Sequence, residues 1–285
     1  TQMLADVMWA TPVITTATDV EGRFSVDDYA RKHNLVVTDW AKAKAISAEV
    51  LATGAKPVWV DEATGSQEEE KNACEICKVQ KSTGIDGCES RVDGCENRVD
   101  GCESRVDGCE NEIDVQKLQI GSHQVVITPQ DVSVDAQTLQ LIPRCIVAGV
   151  GCKKGTSVDK IEHAVQDAFA KAGLRMEALC AVASIDLKKT EVGLLEFCET
   201  WKVPLKTYAA EELRAVPGIY SASEFVSGVT GVDNVCERSA VKYASEHATN
   251  QGEPLLGRQA KHGELLLRKQ AHGGVTVALA YVCSK

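Results

Sequence analysis

The run Gly149-Val150-Gly151-Cys152-Lys153-Lys154-Gly155-Thr156-Ser157 gathers the groups best suited to holding an anion. It follows Ile146-Val147-Ala148, an apolar run that reads as a buried strand. It precedes Val158, Ile161, Val165, Ala168, Phe169 and Ala172, which fall on one face of a helix. Between a strand end and a helix start, backbone N–H groups are left unpaired and the helix end carries partial positive charge. Two lysine ammonium groups at the same place suit a carboxylate or a phosphate. Thr156 is expected to cap the helix, with Asp159 three residues on completing a capping box. The loop is not a P-loop, because the Gly-x-x-x-x-Gly-Lys-Ser/Thr spacing is absent. It is not a dinucleotide fingerprint either, because Lys154 stands where the third glycine would be.

Three further groups could face the same ligand. Ser184-Ile185-Asp186-Leu187-Lys188 closes a second apolar strand, and Glu191 stands at the next helix start. Ser221 and Ser223 lie in a small-residue loop before a longer helix. Lys269 to Gly274 ends in the pair Gly273-Gly274, at a tight turn. Each has an ordinary structural reading: an acid at a helix N-terminus, a solvated lysine, a hairpin turn. Taken together they describe a basic, glycine-rich mouth with one or two carboxylates, which favours a polycarboxylate ligand.

The elements that must position these residues alternate between strand and helix. Before residue 61 the pattern gives a strand at Pro12–Thr16, a helix from Ser25 to Lys32, and a short strand at Leu35–Val37. An Ala-rich helix from Asp39 to Gly54 and a strand at Pro57–Val60 follow. Gln124–Thr128 reads as a strand. From Ile146 the alternation is cleaner. Strands are expected at Leu179–Ser184 and Pro204–Tyr208, and a helix between them turns Leu194, Leu195, Cys198 and Trp201 inward. Short and long helices are expected at Ala210–Leu213 and Val232–Glu246, then strands at Leu265–Leu267 and Val275–Ala280. The expectation is an α/β fold: a three-layer α/β/α C-terminal domain on a mixed, mostly parallel sheet, its last two strands an antiparallel pair. In such sheets ligands sit outside the carboxyl ends of the strands.

Composition bounds the rest. The 285 residues suffice for two modest domains, and no run of about 18 apolar residues suggests a membrane span. Without a signal-like N-terminus the expectation is cytoplasmic, so the twelve cysteines read as thiols or metal ligands, not disulfides. The formal net charge of −10 belongs to one segment: sixteen acids and six bases lie between Asp61 and Asp114, and the remainder holds twenty-five of each. No basic excess argues for nucleic acid. In that segment a heptad opening Gly-Cys-Glu recurs at Gly87, Gly94, Gly101 and Gly108. Ile85, Val92, Val99, Val106 and Ile113 hold one heptad position, and Cys88, Cys95, Cys102 and Cys109 hold another, as in a coiled-coil seam. A glycine in each repeat opposes helix by about 1 kcal/mol relative to alanine. Three readings stay open: an expanded, solvent-exposed insert, a self-associating arm, or a thiol metal site. Only Cys74-x-x-Cys77 has the spacing of paired metal ligands, so no metal site is assigned.

GVGCKKGTS (149–157), ASIDLKKTEVGLLEF (183–197), VPLKTYAAEEL (203–213) and GGVTVALA (273–280) resemble, in this order, the C-terminal domain of the cobalamin biosynthesis CbiG family, the cobalt-precorrin-5A hydrolases. Ala10 to Asp19 resembles the end of that family's N-terminal domain. The resemblance implies four segments: residues 1–60, the end of the N-terminal domain and central region; 61–117, the acidic insert; 118–142, a linking segment; and 143–285, the C-terminal-like domain. It implies the opening of a lactone on a cobalt-corrinoid precursor with release of acetaldehyde, without a cofactor, since the substrate carries the cobalt. It implies cobalt-precorrin-5A as substrate and other cobalamin-pathway enzymes as partners, with a homo-oligomer also open, and neither nucleic acid nor membrane. Asp186 or Glu191 is then the expected base. Gly151, Cys152, Lys153, Lys154, Gly155, Thr156, Ser184, Lys188, Ser221, Lys269, Gly273 and Gly274 are the expected substrate-binding residues. The alternative is a non-catalytic corrinoid carrier.

Overall fold

The computed structural model describes residues 23–60, 67–69, 115–247 and 264–282. The strand expected at Pro12–Thr16, the Cys74–Cys77 pair and the heptads lie outside the described residues.

The first elements are α1 (Val26–Lys32), β1 (Leu35–Val37), α2 (Trp40–Thr53), β2 (Val58–Val60) and β3 (Gln67–Glu69). Asp39 sets the start of α2, its carboxylate accepting from the Ala41 and Lys42 amides at 2.8 and 3.1 Å. Gly54 ends it in the left-handed conformation, with φ 71°. Beyond the acidic segment come β4 (Gln116–Ile120), β5 (His123–Ile127) and β6 (Thr138–Pro143). Residues before, within and after that segment form one sheet, in the order β1-β6-β5-β4-β2-β3, with only β5 and β6 parallel. The stretch expected as a link therefore supplies three strands. Its core is Ile46 and Val50 from α2 against Leu118, Val125, Ile127 and Leu139.

The second sheet is built from β7 (Ile146–Cys152), α3 (Val158–Lys171), β8 (Leu179–Ile185), α4 (Val192–Trp201), β9 (Leu205–Tyr208), α5 (Ala210–Arg214), α6 (Glu224–Thr230), α7 (Cys236–His247), β10 (Leu265–His272) and β11 (Val275–Tyr281). Its order is β10-β11-β7-β8-β9. β7, β8 and β9 are parallel, and β11 runs antiparallel to both β7 and β10. This is the expected mixed α/β sheet with helices on both faces. Ala148, Val150, Val182, Val275 and Val277 pack on one side with α3 and α4. Val147, Ala181, Ala183 and Ala280 pack on the other with α7. The inward face of α4 is Leu194, Phe197 and Cys198, whereas Leu195, expected inward, is 44% exposed. Helix α7 starts at Cys236, not Val232, because the Asn234 side chain accepts the Glu237 amide at 2.9 Å and fixes the first turn there.

The two sheets meet along a short seam. Cys145, between β6 and β7, donates its amide to Ala178 and accepts the Val282 amide. The Arg175 amide donates to Pro129 O, and Ile142 at the end of β6 packs in the second core. Among the described residues no helix is long and apolar enough to cross a membrane.

Candidate functional site

The expected residues gather at the carboxyl end of β7, divided between the two faces of the sheet. On the α3–α4 face stand Cys152, Gly155, Thr156, Lys188 and Glu191. The loop is held by an internal acid: Glu191 Oε1 accepts the Gly155 amide at 2.6 Å, and Oε2 accepts from Lys188 Nζ at 3.1 Å. Burial pushes the Glu191 carboxyl up, but the Lys188 ammonium and the Gly155 and Thr156 amides outweigh it and hold the group below the usual range. The amide expected to be open for a ligand is therefore occupied, and Lys188 is committed to the same carboxylate.

Thr156 does not cap α3. Its hydroxyl donates to Lys153 O at 2.7 Å, tightening the loop, and Ser157 precedes the helix with no side-chain hydrogen bond to it. The capping box with Asp159 is not formed, because the hydroxyl that would open it is turned back into the loop. Gly155 has φ +74°, a conformation that disfavours a side chain. Burial raises the Cys152 thiol above its ordinary value, so it stays protonated near neutral pH. Ser184 is fully buried and donates to Val150 O at 2.7 Å, tying β8 to β7.

Lys153 and Lys154 are exposed, and neither has an acidic partner among the described residues. The Lys153 amide donates to Gly274 O at 3.3 Å, so the hairpin tip is fastened to the loop. Gly273 and Gly274, at φ +57° and +88°, make the turn, and the Lys153 stem lies 3.4 Å from where a Gly274 Cβ would stand. Asp186 is exposed at the start of a 3-10 turn, Asp186–Lys188, with its main-chain oxygen accepting the Lys189 amide.

On the α7 face Gly151 pairs with Thr276, whose hydroxyl donates to Gly151 O at 3.2 Å. Ser221 and Lys269, far apart in sequence, meet through Glu237. This glutamate is fully buried and accepts the Ser221 amide at 2.8 Å, the Ser221 hydroxyl at 2.9 Å and the Lys269 amide at 2.8 Å. The sequence reading missed it, since an acid in a first helical turn ordinarily complements the dipole in solvent. The cue available was its place three residues after Asn234, in the first turn of α7.

These elements give an exposed lysine pair on the loop after β7, an exposed carboxylate just after the neighbouring parallel strand β8, and apolar Leu187 and Val192, 63% and 64% exposed. That combination can bind an anionic ligand with an apolar body.

Residues 146–280 match the family model described as Cobalamin synthesis G C-terminus. The chain is 24% identical over 288 residues to a cobalt-precorrin-5A hydrolase of Priestia megaterium, covering 99% of this chain and 64% of that protein. It is 27% identical over 238 residues to the protein of that name from Salmonella typhimurium, covering 82% of this chain and 58% of the relative. Both alignments span less than two thirds of the relative's length. Protein CobE of a Sinorhizobium species is 31% identical over 104 residues, covering 36% of this chain and 68% of CobE. The strand-end lysine loop, the Asp186 turn and the diglycine hairpin all lie within the matched region, and the chain belongs to the cobalamin synthesis G C-terminus family.

Proposed function

We propose that this protein acts in cobalamin biosynthesis as a cobalt-precorrin-5A hydrolase, opening the precursor lactone with release of acetaldehyde. The observation that carries the binding half of this reading is the exposed Lys153–Lys154 pair, held by Gly274 and Thr156 at the end of β7. A corrinoid precursor carries acetate and propionate groups around an apolar macrocycle. Two ammonium groups beside exposed Leu187 and Val192 complement both parts of such a molecule. The names of the two longer relatives support the reaction class.

Lactone opening needs a base to activate water and a positive group for the developing oxyanion. Of the two candidate acids, Asp186 is the better placed. It is exposed, whereas Glu191 is buried and already accepts from Lys188 and Gly155. In this reading Asp186 takes a proton from water, the water oxygen adds to the lactone carbonyl, and Lys153 or Lys154 stabilises the oxyanion. Collapse of that adduct breaks the ring C–O bond, leaving a carboxylic acid and an alkoxide that takes the proton back from Asp186. Loss of the freed hydroxyl proton and cleavage of the adjoining carbon–carbon bond then release acetaldehyde, with the electron pair left on the macrocycle.

A carrier without catalysis is the second reading, favoured by the sequestered Glu191 and the protonated Cys152. Incubation with cobalt-precorrin-5A and chemical trapping of acetaldehyde separates the two. Acetaldehyde lost on Asp186→Asn supports the hydrolase, and binding without acetaldehyde supports the carrier. Under either reading, Lys153→Ala combined with Lys154→Ala should weaken binding by about tenfold or more, as expected for losing two charge-assisted contacts. Undiminished affinity in a titration would place the anion site elsewhere.

A further inference from the structure

Ser221 sits in a loop, 217–223, that carries no regular structure, yet all three of its own polar groups are bound. Its amide and hydroxyl both donate to Glu237, and its carbonyl accepts from Asn234 Nδ2 at 2.9 Å. The Asn234 side chain in turn accepts the Glu237 amide, so the first turn of α7 grips all three polar groups of one serine. The same Glu237 Oε1 that takes the Ser221 hydroxyl also takes the Lys269 amide from β10. Glu237 is fully exposed to neither solvent nor ligand: its relative exposure is 0%. A carboxylate is expensive to bury, and here three donors from two distant segments compensate for the lost water.

We infer that Glu237 is a positioning residue, holding Ser221 and Lys269 side by side at the α7 edge of the corrinoid mouth. The inference rests on the reading of that mouth as a corrinoid site. The geometry also fixes what Ser221 can offer. With its proton directed at Glu237, the half-exposed hydroxyl presents only lone pairs outward. Ser221 therefore accepts a hydrogen bond from a ligand O–H or N–H, or from a bridging water. It does not donate to a ligand carboxylate, which leaves that task to the lysines. Glu237 acts on the ligand through Ser221 and Lys269 without touching it.

The test uses the full chain and cobyrinic acid, a corrin with free side-chain carboxylates, as probe. Glu237→Gln keeps the shape but turns one acceptor into an N–H₂ donor that opposes the donors around it. Amide exchange at Ser221 and Lys269 should then quicken by about tenfold or more, as for loss of a buried hydrogen bond, while the Val282 amide at the seam is unchanged. Probe affinity should fall by about tenfold, and the same substitution in a Ser221→Ala background should add much less, the signature of action through Ser221. Additive losses of affinity, or unchanged exchange at both amides, would overturn the proposal. A wild-type chain that does not bind cobyrinic acid defeats the corrinoid reading, and the exchange measurement then decides the tether by itself. If Glu237→Gln does not fold, Glu237→Asp keeps the charge at shorter reach and should still release one of the two amides. Protection of both would overturn the tether.

Discussion

Glu191 has both carboxylate oxygens engaged, one by the Gly155 amide and one by Lys188, within a rim that also exposes two lysines. Replacing it with Gln leaves Lys188 without its partner and should cost about 3 kcal/mol, the scale for breaking a buried charged pair. Urea unfolding would read this directly, and a loss under about 0.5 kcal/mol would show that the contact is dispensable. The pH dependence has a definite sign. The folded-state pKa lies below the ordinary glutamate value, so the stabilisation is complete above that value and is lost as pH falls through the folded-state pKa. Stability should therefore decline on acidification, and the Gln variant should lack that part of the decline. At this scale the sequence disclosed which residues would gather but not how they would share their hydrogen bonds. Thr156, Gly155 and Glu191 were all legible as members of one neighbourhood. That Glu191 would occupy the Gly155 amide was not, because the two lie on different elements and meet only when α4 packs on the loop.

That packing is close enough to leave no room for side chains between elements. A Cβ on Gly149 would stand 1.9 Å from Cys236 O, and one on Gly193 would stand 2.2 Å from Thr156 O. Strand β7 and helix α7 thus touch backbone to backbone, as do α4 and the lysine loop. Gly149→Ala should displace the start of α7, with a cost of about 3 kcal/mol or more, the upper range for overpacking. It should also expose Glu237, detectable as faster amide exchange at Ser221. A melting temperature equal to wild type would show that α7 can move off β7 freely. Periodicity revealed α3 well: Ile161, Val165, Ala168 and Phe169 are all buried against the sheet. It failed at β6, where every residue is buried but Thr138 and Gln140 interrupt the apolar run. Gln140 is tolerated there because its amide donates to Thr128 O and Gln130 O, a satisfaction visible only in three dimensions.

Across the whole molecule, chain order and spatial order diverge. The first sheet closes around strands from both sides of the acidic segment, and the second places its last strand, β11, between β10 and β7. The family match covers residues 146–280, the second sheet and its helices, whereas the hydrolase relatives extend well beyond this chain's alignment. The parallel core of β7, β8 and β9 was readable from βα alternation, and the β10–β11 hairpin from its glycines. The antiparallel seating of β11 on β7 was not, because no local pattern records which strand a hairpin will join. That seating has a consequence during synthesis. β7 leaves the ribosome ~130 residues before its neighbour β11 is finished, and until then one full edge of an apolar strand has no hydrogen-bonding partner. A chain ending at residue 263 would keep that edge permanently open and should be recovered as aggregate, as sedimentation of the expressed product would show; a soluble monomer would mean that something else covers β7. The nascent protein thus passes through a long interval in which chaperone protection matters, and the lysine loop lacks its hairpin wall until β11 has been made.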